Sequence, residues 1–318
     1  MVKIDLLDRK IIYHLDLDAR QPASAIAKKL KVPKQTISFR INRLTKNNII
    51  KGYYALIDTS LIGMYFTKIF IRLNELNSER RKEILDFVAK QQGISQVLLM
   101  EGKYDVQLLF LGKENKEMIQ LMDNIYSFCG KEIKEKEIMP IETLYKFNLK
   151  TFYKEEKDSM IKINSDRISF KIDPLGWKVL KEISNDARVS VLEIAKNLKI
   201  SSQLAQYHLK KLIKDKVILG FSISINYEAI NRYPYHLTFQ MNDHKVIPQF
   251  IQFLRQHDKS IFAARKIGNY DCSTEILVKD NNDLRSFVNE IMDLFADKIN
   301  ELDIMLIYYE YKLRLYPI

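Results

Sequence analysis

Residues 28–52, KKLKVPKQTISFRINRLTKNNIIKG, decide how the rest of the chain is read. Val32 and Pro33 open a helix, because proline at a first helical position gives up only an N–H that would be unpaired anyway. Ile37, Ile41 and Leu44 recur at helical spacing and make one apolar stripe. Asn47-Asn48 stops the helix, and Ile49-Ile50-Lys51-Gly52 leads into an extended run. Gln35, Phe39, Asn42 and Lys46 then point away from the stripe, with Ser38 and Arg43 on its flanks. A cationic, amide-bearing, aromatic face of this kind suits a helix laid in a DNA groove, as the last helix of a helix-turn-helix. It would equally serve as a solvated surface helix.

The stretch belongs to a duplication. Lys3-Ile4-Asp5 returns as Lys171-Ile172-Asp173, Asp18-Ala19-Arg20 as Asp186-Ala187-Arg188, and Ile26-Ala27-Lys28 as Ile194-Ala195-Lys196, all 168 positions on. Gly102-Lys103-Tyr104-Asp105 returns as Gly268-Asn269-Tyr270-Asp271 at an offset of 166, which holds to Tyr145 and Tyr311. The repeat is half the chain, far longer than a solenoid unit. The 318 residues therefore divide into a helix-turn-helix domain (1–58), a sheet domain (59–150), a linker (151–170), and second copies of each domain (171–226 and 227–318).

Charge follows the same division. The net charge is +11. Residues 1–58 hold 12 basic and 5 acidic residues and 171–226 hold 10 and 5, whereas the sheet segments hold 14 and 13, and 11 and 13. Excess cation gathered on helical motifs is the footprint of a phosphate-backbone partner. Neither segment has the exposed apolar face of an interfacial helix, so no membrane partner is expected. No apolar run is long enough to span a bilayer and no signal peptide opens the chain, which predicts a cytoplasmic protein. The two cysteines, Cys129 and Cys272, occupy non-equivalent places, so neither a disulfide framework nor a metal cluster is indicated.

In order, helices are expected over 5–17, 22–30 and 33–47, with Lys31 where such turns often carry glycine, and a strand over 51–58. Strands over 66–73, 95–101, 104–111 and 135–148, with helices over 78–92 and 115–129, give a βαββαβ order, the split βαβ or ferredoxin-like arrangement. Pro140 implies an edge or a bulge in the last strand. Such a sheet has helices on one face only, so pairing through the other is expected. The fold class is thus α+β: two copies of a winged-type helix-turn-helix followed by a ferredoxin-like domain.

Asp-Ala-Arg, Ile-Ala-Lys-x-Leu, Thr36-Ile37-x-x-Arg40-Ile41-x-Arg43-Leu44, Ile49-Ile50-Lys51-Gly52-Tyr53 and Gly-x-Tyr-Asp, in this order and twice over, resemble the Lrp/AsnC, or feast/famine, transcription regulators. The resemblance implies a helix-turn-helix that binds double-stranded DNA, a sheet domain that dimerises and assembles further, and an amino-acid or other small effector near Gly-x-Tyr-Asp. Most members have one copy per chain; this one has two. The copies differ: Pro33 stands for a usual serine that Ser201 restores, while Leu204, Ala205 and His208 depart from the pattern in the second.

The DNA-binding candidates are Lys34, Gln35, Ser38, Phe39, Arg40, Asn42, Arg43 and Lys46, and in the second copy Ser202, Gln203, Gln206, Tyr207, Lys210, Lys211 and Lys214. Because the two faces differ, an asymmetric pair of half-sites is expected, about 34 Å or a multiple apart. The effector candidates are Gly102, Tyr104, Asp105, Gly268, Tyr270 and Asp271, though four residues also make a plain turn. Whether the sheet domains pair within one chain or between chains is open: a flexible 20-residue linker spans about 25 Å, up to ~66 Å extended. Tethering favours the internal pseudo-dimer. No catalytic residues, cofactor or metal are expected. The five histidines are scattered, and neither paired carboxylates nor a nucleophile-base spacing stands out, so the chain reads as a non-enzyme. Two other readings remain, a tetrapyrrole (sirohaem-type) decarboxylase on the same fold and a protein-binding adaptor with a degenerate second helix-turn-helix.

Overall fold

The structure is a computed structural model that describes residues 3–154, 159–164 and 170–313. The first copy runs α1 (Leu6–Leu17), α2 (Ala23–Leu30), α3 (Lys34–Lys46), β1 (Ile50–Ile57), β2 (Tyr65–Leu73), α4 (Ser78–Lys90), β3 (Ile94–Glu101), β4 (Val106–Gly112), α5 (Asn115–Cys129) and β5 (Ile133–Phe147). A short strand β6 (Met160–Asn164) follows. The second copy runs α6 (Pro174–Asn185), α7 (Val191–Leu198), α8 (Ser202–Lys214), β7 (Ile218–Ile225), β8 (Tyr233–Met241), α9 (Ile247–Gln256), β9 (Ser260–Lys266), β10 (Cys272–Val278), α10 (Asn281–Phe295) and β11 (Ile299–Leu313). The α+β class and the order read from periodicity hold in both copies.

Local chemistry sets the ends of these elements. Asp5 and Asp8 form a reciprocal capping box on α1. Asp173 caps α6 with Pro174 in its first turn. Pro33 stands one residue outside α3, as its cap, not in its first turn. The α2–α3 turn is closed by Lys31 in the left-handed region (φ +55°), and the α7–α8 turn by Lys199 at φ +54°. The turn therefore keeps the conformation glycine would give, and the Val32 N–H closes it on the Ala27 carbonyl at 3.1 Å.

The two sheet domains pair within the chain. Their strands form one antiparallel ring, β2-β4-β3-β11-β8-β10-β9-β5, closed by β5 against β2, with β6 on the edge of β5. The seams are made by the two long strands. β5 pairs with β2 as far as Pro140 and with β9 from Ile141 onward. β11 likewise passes from β8 to β3 around Leu306. Pro140 sits at the handover, where its missing N–H spoils no ladder. α4 and α5 cover one outer face over Ile69, Ile84, Val97 and Ile125; α9 and α10 cover the other over Leu237, Phe250, Ile276 and Phe287.

The helix-turn-helix units are also joined, which was not foreseen. β1 does not simply leave its domain; it pairs antiparallel with β7 of the other copy. The Ala19 N–H reaches the Phe221 carbonyl at 3.0 Å and the Ala187 N–H the Tyr53 carbonyl at 3.2 Å. Arg20 donates to the Ala187 and Val189 carbonyls at 2.6 and 2.9 Å. The first unit is tied to the ring as well. Asp16, buried at the end of α1, accepts from Lys146 Nζ (2.6 Å), Ser222 Oγ (2.7 Å) and the Leu149 N–H (2.9 Å). The segment expected as a plain linker lies partly outside the described residues; of the rest, Phe152 and Ile163 are buried and 160–164 are strand β6.

Inside the ring, between the two sheet halves, lies a polar layer. Lys68 Nζ is 3.2 Å from Glu275 Oε1, and His236 Nδ1 is 3.4 Å from the same oxygen. Among the described residues, Lys266 Nζ and both Gln107 amide atoms are buried without a hydrogen-bond partner. Burial, with Lys68 adding to it, pushes the Lys266 amine from 10.5 down to about 7 and the His236 imidazole down to about 3. The unfolded chain holds the Lys266 proton up to pH 10.5, the folded chain only to about 7. The cost of burying this charge is therefore full below pH 7 and fades as pH rises toward 10.5. Lys266→Met is expected to raise stability by about 2–4 kcal/mol at pH 6 and by much less at pH 10, in urea unfolding at both.

Candidate nucleic-acid interface

α3 packs its stripe of Ile37, Ile41 and Leu44 into a core with Ile11, Ile12, Leu15 and Ile26. That orientation turns Lys34, Gln35, Phe39, Asn42 and Lys46 to solvent and leaves Ser38 half-buried. Phe39 is 66% exposed, with nothing of its own fold to bury it. α8 repeats the arrangement. Ala205, Leu209 and Leu212 face inward, Gln203, Gln206, Tyr207, Lys210 and Lys214 outward, and Ser202 is half-buried. Tyr207 is 59% exposed. Each unit thus presents one helix face with an aromatic ring, amides that can read base edges, and lysines that can reach phosphates.

Two expected residues are placed otherwise. Arg40 Nη1 bonds Asp5 and, at 3.0 Å, Asp8 Oδ1; Arg43 bonds the other Asp8 oxygen. The Asp8 side chain is fully buried beneath the two guanidinium groups. The Asp5 hydrogen bond, then that of Asp8, raises the Arg40 guanidinium above its ordinary pKa. These arginines brace α3 against the start of α1. Sequence reasoning took them for DNA contacts; the signal it passed over is Asp8 itself, an acid in register with Ile11, Ile12 and Leu15 on the buried face.

The second copy lacks this brace. Gly176 stands for Asp8, His208 for Arg40 and Lys211 for Arg43. His208 Nδ1 is 3.5 Å and Lys211 Nζ 3.6 Å from the Asp173 carboxylate. The Gly176 N–H, with Lys211 nearby, holds that carboxyl below its ordinary pKa. The Lys211 side chain, beside Asp173, stays partly exposed at the edge of the α8 face.

At the Gly-x-Tyr-Asp loops, Gly102 and Gly268 take φ of +139° and +144°. A Cβ on Gly102 would meet the Ile304 carbonyl at 2.9 Å, and one on Gly268 the Met139 side chain at 3.0 Å. Each loop thus lies on the long strand of the other copy. Asp105 and Asp271 are spent on structure: their Oδ2 atoms accept the Leu73 and Met241 N–H groups at 2.7 Å. Tyr104 and Tyr270 are buried, with hydroxyls toward carboxylates of β5 and β11 that the sequence reading missed.

Among the described residues, no group of three or more His, Cys, Asp or Glu is placed to hold a metal, and no helix is long and apolar enough to cross a membrane.

The winged helix-turn-helix DNA-binding family model matches residues 4–51 and 172–218, one match per copy. The HTH-type transcriptional regulator FL11 of Pyrococcus horikoshii is 31% identical over 131 residues, which are 41% of this chain and 85% of FL11. An HTH-type transcriptional regulator of Pyrococcus furiosus is 28% identical over 137 residues, 43% of this chain and 91% of that protein. Among solved structures, the siroheme decarboxylase NirDL matches 97% of this chain and 93% of its own, with a TM-score of 0.61 at 13% identity. That match corrects the expectation of a non-enzyme, because an enzyme shares the fold over 97% of this chain.

Proposed function

The chain belongs to the Lrp/AsnC family of winged helix-turn-helix transcriptional regulators, and from that premise we propose that it reads two non-identical DNA half-sites as an internal pseudo-dimer. The observation that carries this is the pair of exposed α3 and α8 faces, joined through the β1–β7 ribbon and differing in sequence. Gln35, Asn42, Gln203 and Gln206 read base edges. Lys34, Lys46, Lys210 and Lys214 hold phosphates, and Phe39 and Tyr207 pack on sugars or thymine methyls. Arg40 and Arg43 act from beneath, fixing α3. A small effector at the tyrosine loops modulates binding.

Selection of bound DNA from a random library tests the reading. A bipartite motif with unlike halves is expected, and a palindrome or no enriched motif would overturn it. Binding should weaken steeply with salt, and Lys46→Ala should lower the slope of log K against log salt by about 0.9, one phosphate contact. An unchanged slope would take Lys46 off the backbone.

A second reading is decarboxylation of a sirohaem-type tetrapyrrole. The end-to-end likeness to NirDL supports it at the level of fold, and the buried Lys68, His236, Lys266 and Glu275 supply proton-active groups between the sheets. Incubation with sirohaem and mass spectrometry for loss of carbon dioxide separates the two readings.

A further inference from the structure

The two tyrosine corners are built alike and filled differently. At one, the Tyr270 hydroxyl donates to Glu301 Oε1 at 3.0 Å and to Asp303. Lys103, from the loop of the other copy, enters this corner. Its Nζ bonds the Tyr270 oxygen and lies 3.1 Å from both Glu301 Oε1 and Asp303 Oδ2. An ammonium held by a phenol and two carboxylates is thus part of the fold. The offset of 166 carries Tyr270, Glu301 and Asp303 onto Tyr104, Glu135 and Glu137. There the Tyr104 hydroxyl donates to Glu137 Oε2 at 2.8 Å and lies 3.4 Å from Glu135 Oε1. The residue in the place of Lys103 is Asn269, which carries no charge. Among the described residues, no ion pair is made by Glu135 or Glu137, although Lys266 lies buried in the same interior. Glu137 is buried and Glu135 exposed, so the corner opens to solvent on one side.

We propose that the Tyr104–Glu135–Glu137 corner takes the primary ammonium of a free small-molecule amine, in the position that Lys103 holds in the duplicate corner. The chain then carries one open ligand corner and one plugged by its own side chain. This deepens the reading of the tyrosine loops as effector loops, and it names the chemistry of the effector: a protonated amine donating to a phenol oxygen and two carboxylates. It also assigns the stoichiometry, one ligand per chain although the site was duplicated.

The test uses n-butylamine, which copies the end of a lysine side chain, titrated into the full chain without DNA and followed by calorimetry and ligand-observed NMR. One site per chain is expected, with 1-butanol not binding. Glu137→Gln should weaken binding about tenfold or more. Lys103→Ala should open the second corner and give two sites. Asn269→Lys should plug the first and abolish binding, with an unchanged circular dichroism spectrum showing that the fold is intact. No binding by the wild type, or binding that Asn269→Lys leaves unchanged, overturns the proposal. Because the titration needs no DNA, its failure leaves the DNA reading standing, and loss of DNA binding leaves this one standing.

Discussion

Asp16→Ala is expected to lower unfolding stability by about 3–5 kcal/mol, the range for removing one member of a buried ion pair. Lys146, 7% exposed, would keep among the described residues only the Phe147 carbonyl, at 3.2 Å. Ser222 and the Leu149 N–H would lose their acceptor at the same stroke. The effect is one-sided: Ser184 stands in the second copy where Asp16 stands in the first, and Tyr54 where Ser222 does. Ser184 has no carboxylate to give the second copy the same buried pair, so hydrogen exchange in α1 should rise more than in α6. The control is Asp16→Leu with Lys146→Met, which replaces the pair by apolar groups and should recover the part of the loss due to the buried charge, leaving the part due to the unpaired Leu149 N–H and Ser222. A single substitution costing under 1 kcal/mol in urea unfolding would mean that the pair is solvated.

The second large effect concerns recognition. Gln35→Ala/Asn42→Ala is expected to erase one half of the selected DNA motif and to weaken binding to the intact site about 30-fold or more, since two amide–adenine pairs are lost and each discriminates by about 1–3 kcal/mol. Gln203→Ala/Lys210→Ala should erase the other half and spare the first. Library selection with both variants decides it. A palindrome lost only with the first variant would mean that α8 holds phosphates without reading bases. Both variants change exposed residues and should leave stability within about 0.5 kcal/mol, so lost binding would not be lost fold.

Much of this was legible in the sequence, because period and spacing report on local structure. The stripe of Ile37, Ile41 and Leu44 placed α3 within a residue, and the βαββαβ order emerged with short shifts at its ends. What stayed hidden depends on partners distant in sequence. That β1 would pair with β7, and β5 with β9, is settled by strand edges meeting in space; nothing in KGYYALID says whose edge it will find. Arg40 and Arg43 were misplaced for the same reason, since their acids lie 32 to 35 residues away. At the tyrosine loops the motif was visible but its carboxylates were not, because Glu137 and Asp303 come into register only when each loop folds over a long strand.

The closed ring with its crossing strands has a consequence for how such a protein can change over generations. A regulator made of two identical chains must keep one sequence good for both halves, and it falls apart when scarce. Here the two halves are translated together in equal number, and dilution cannot separate them. Each can therefore drift on its own: one keeps its acid and two arginines while the other trades them for a glycine, a histidine and a lysine. Fusion of the copies frees the molecule from the symmetry it inherited.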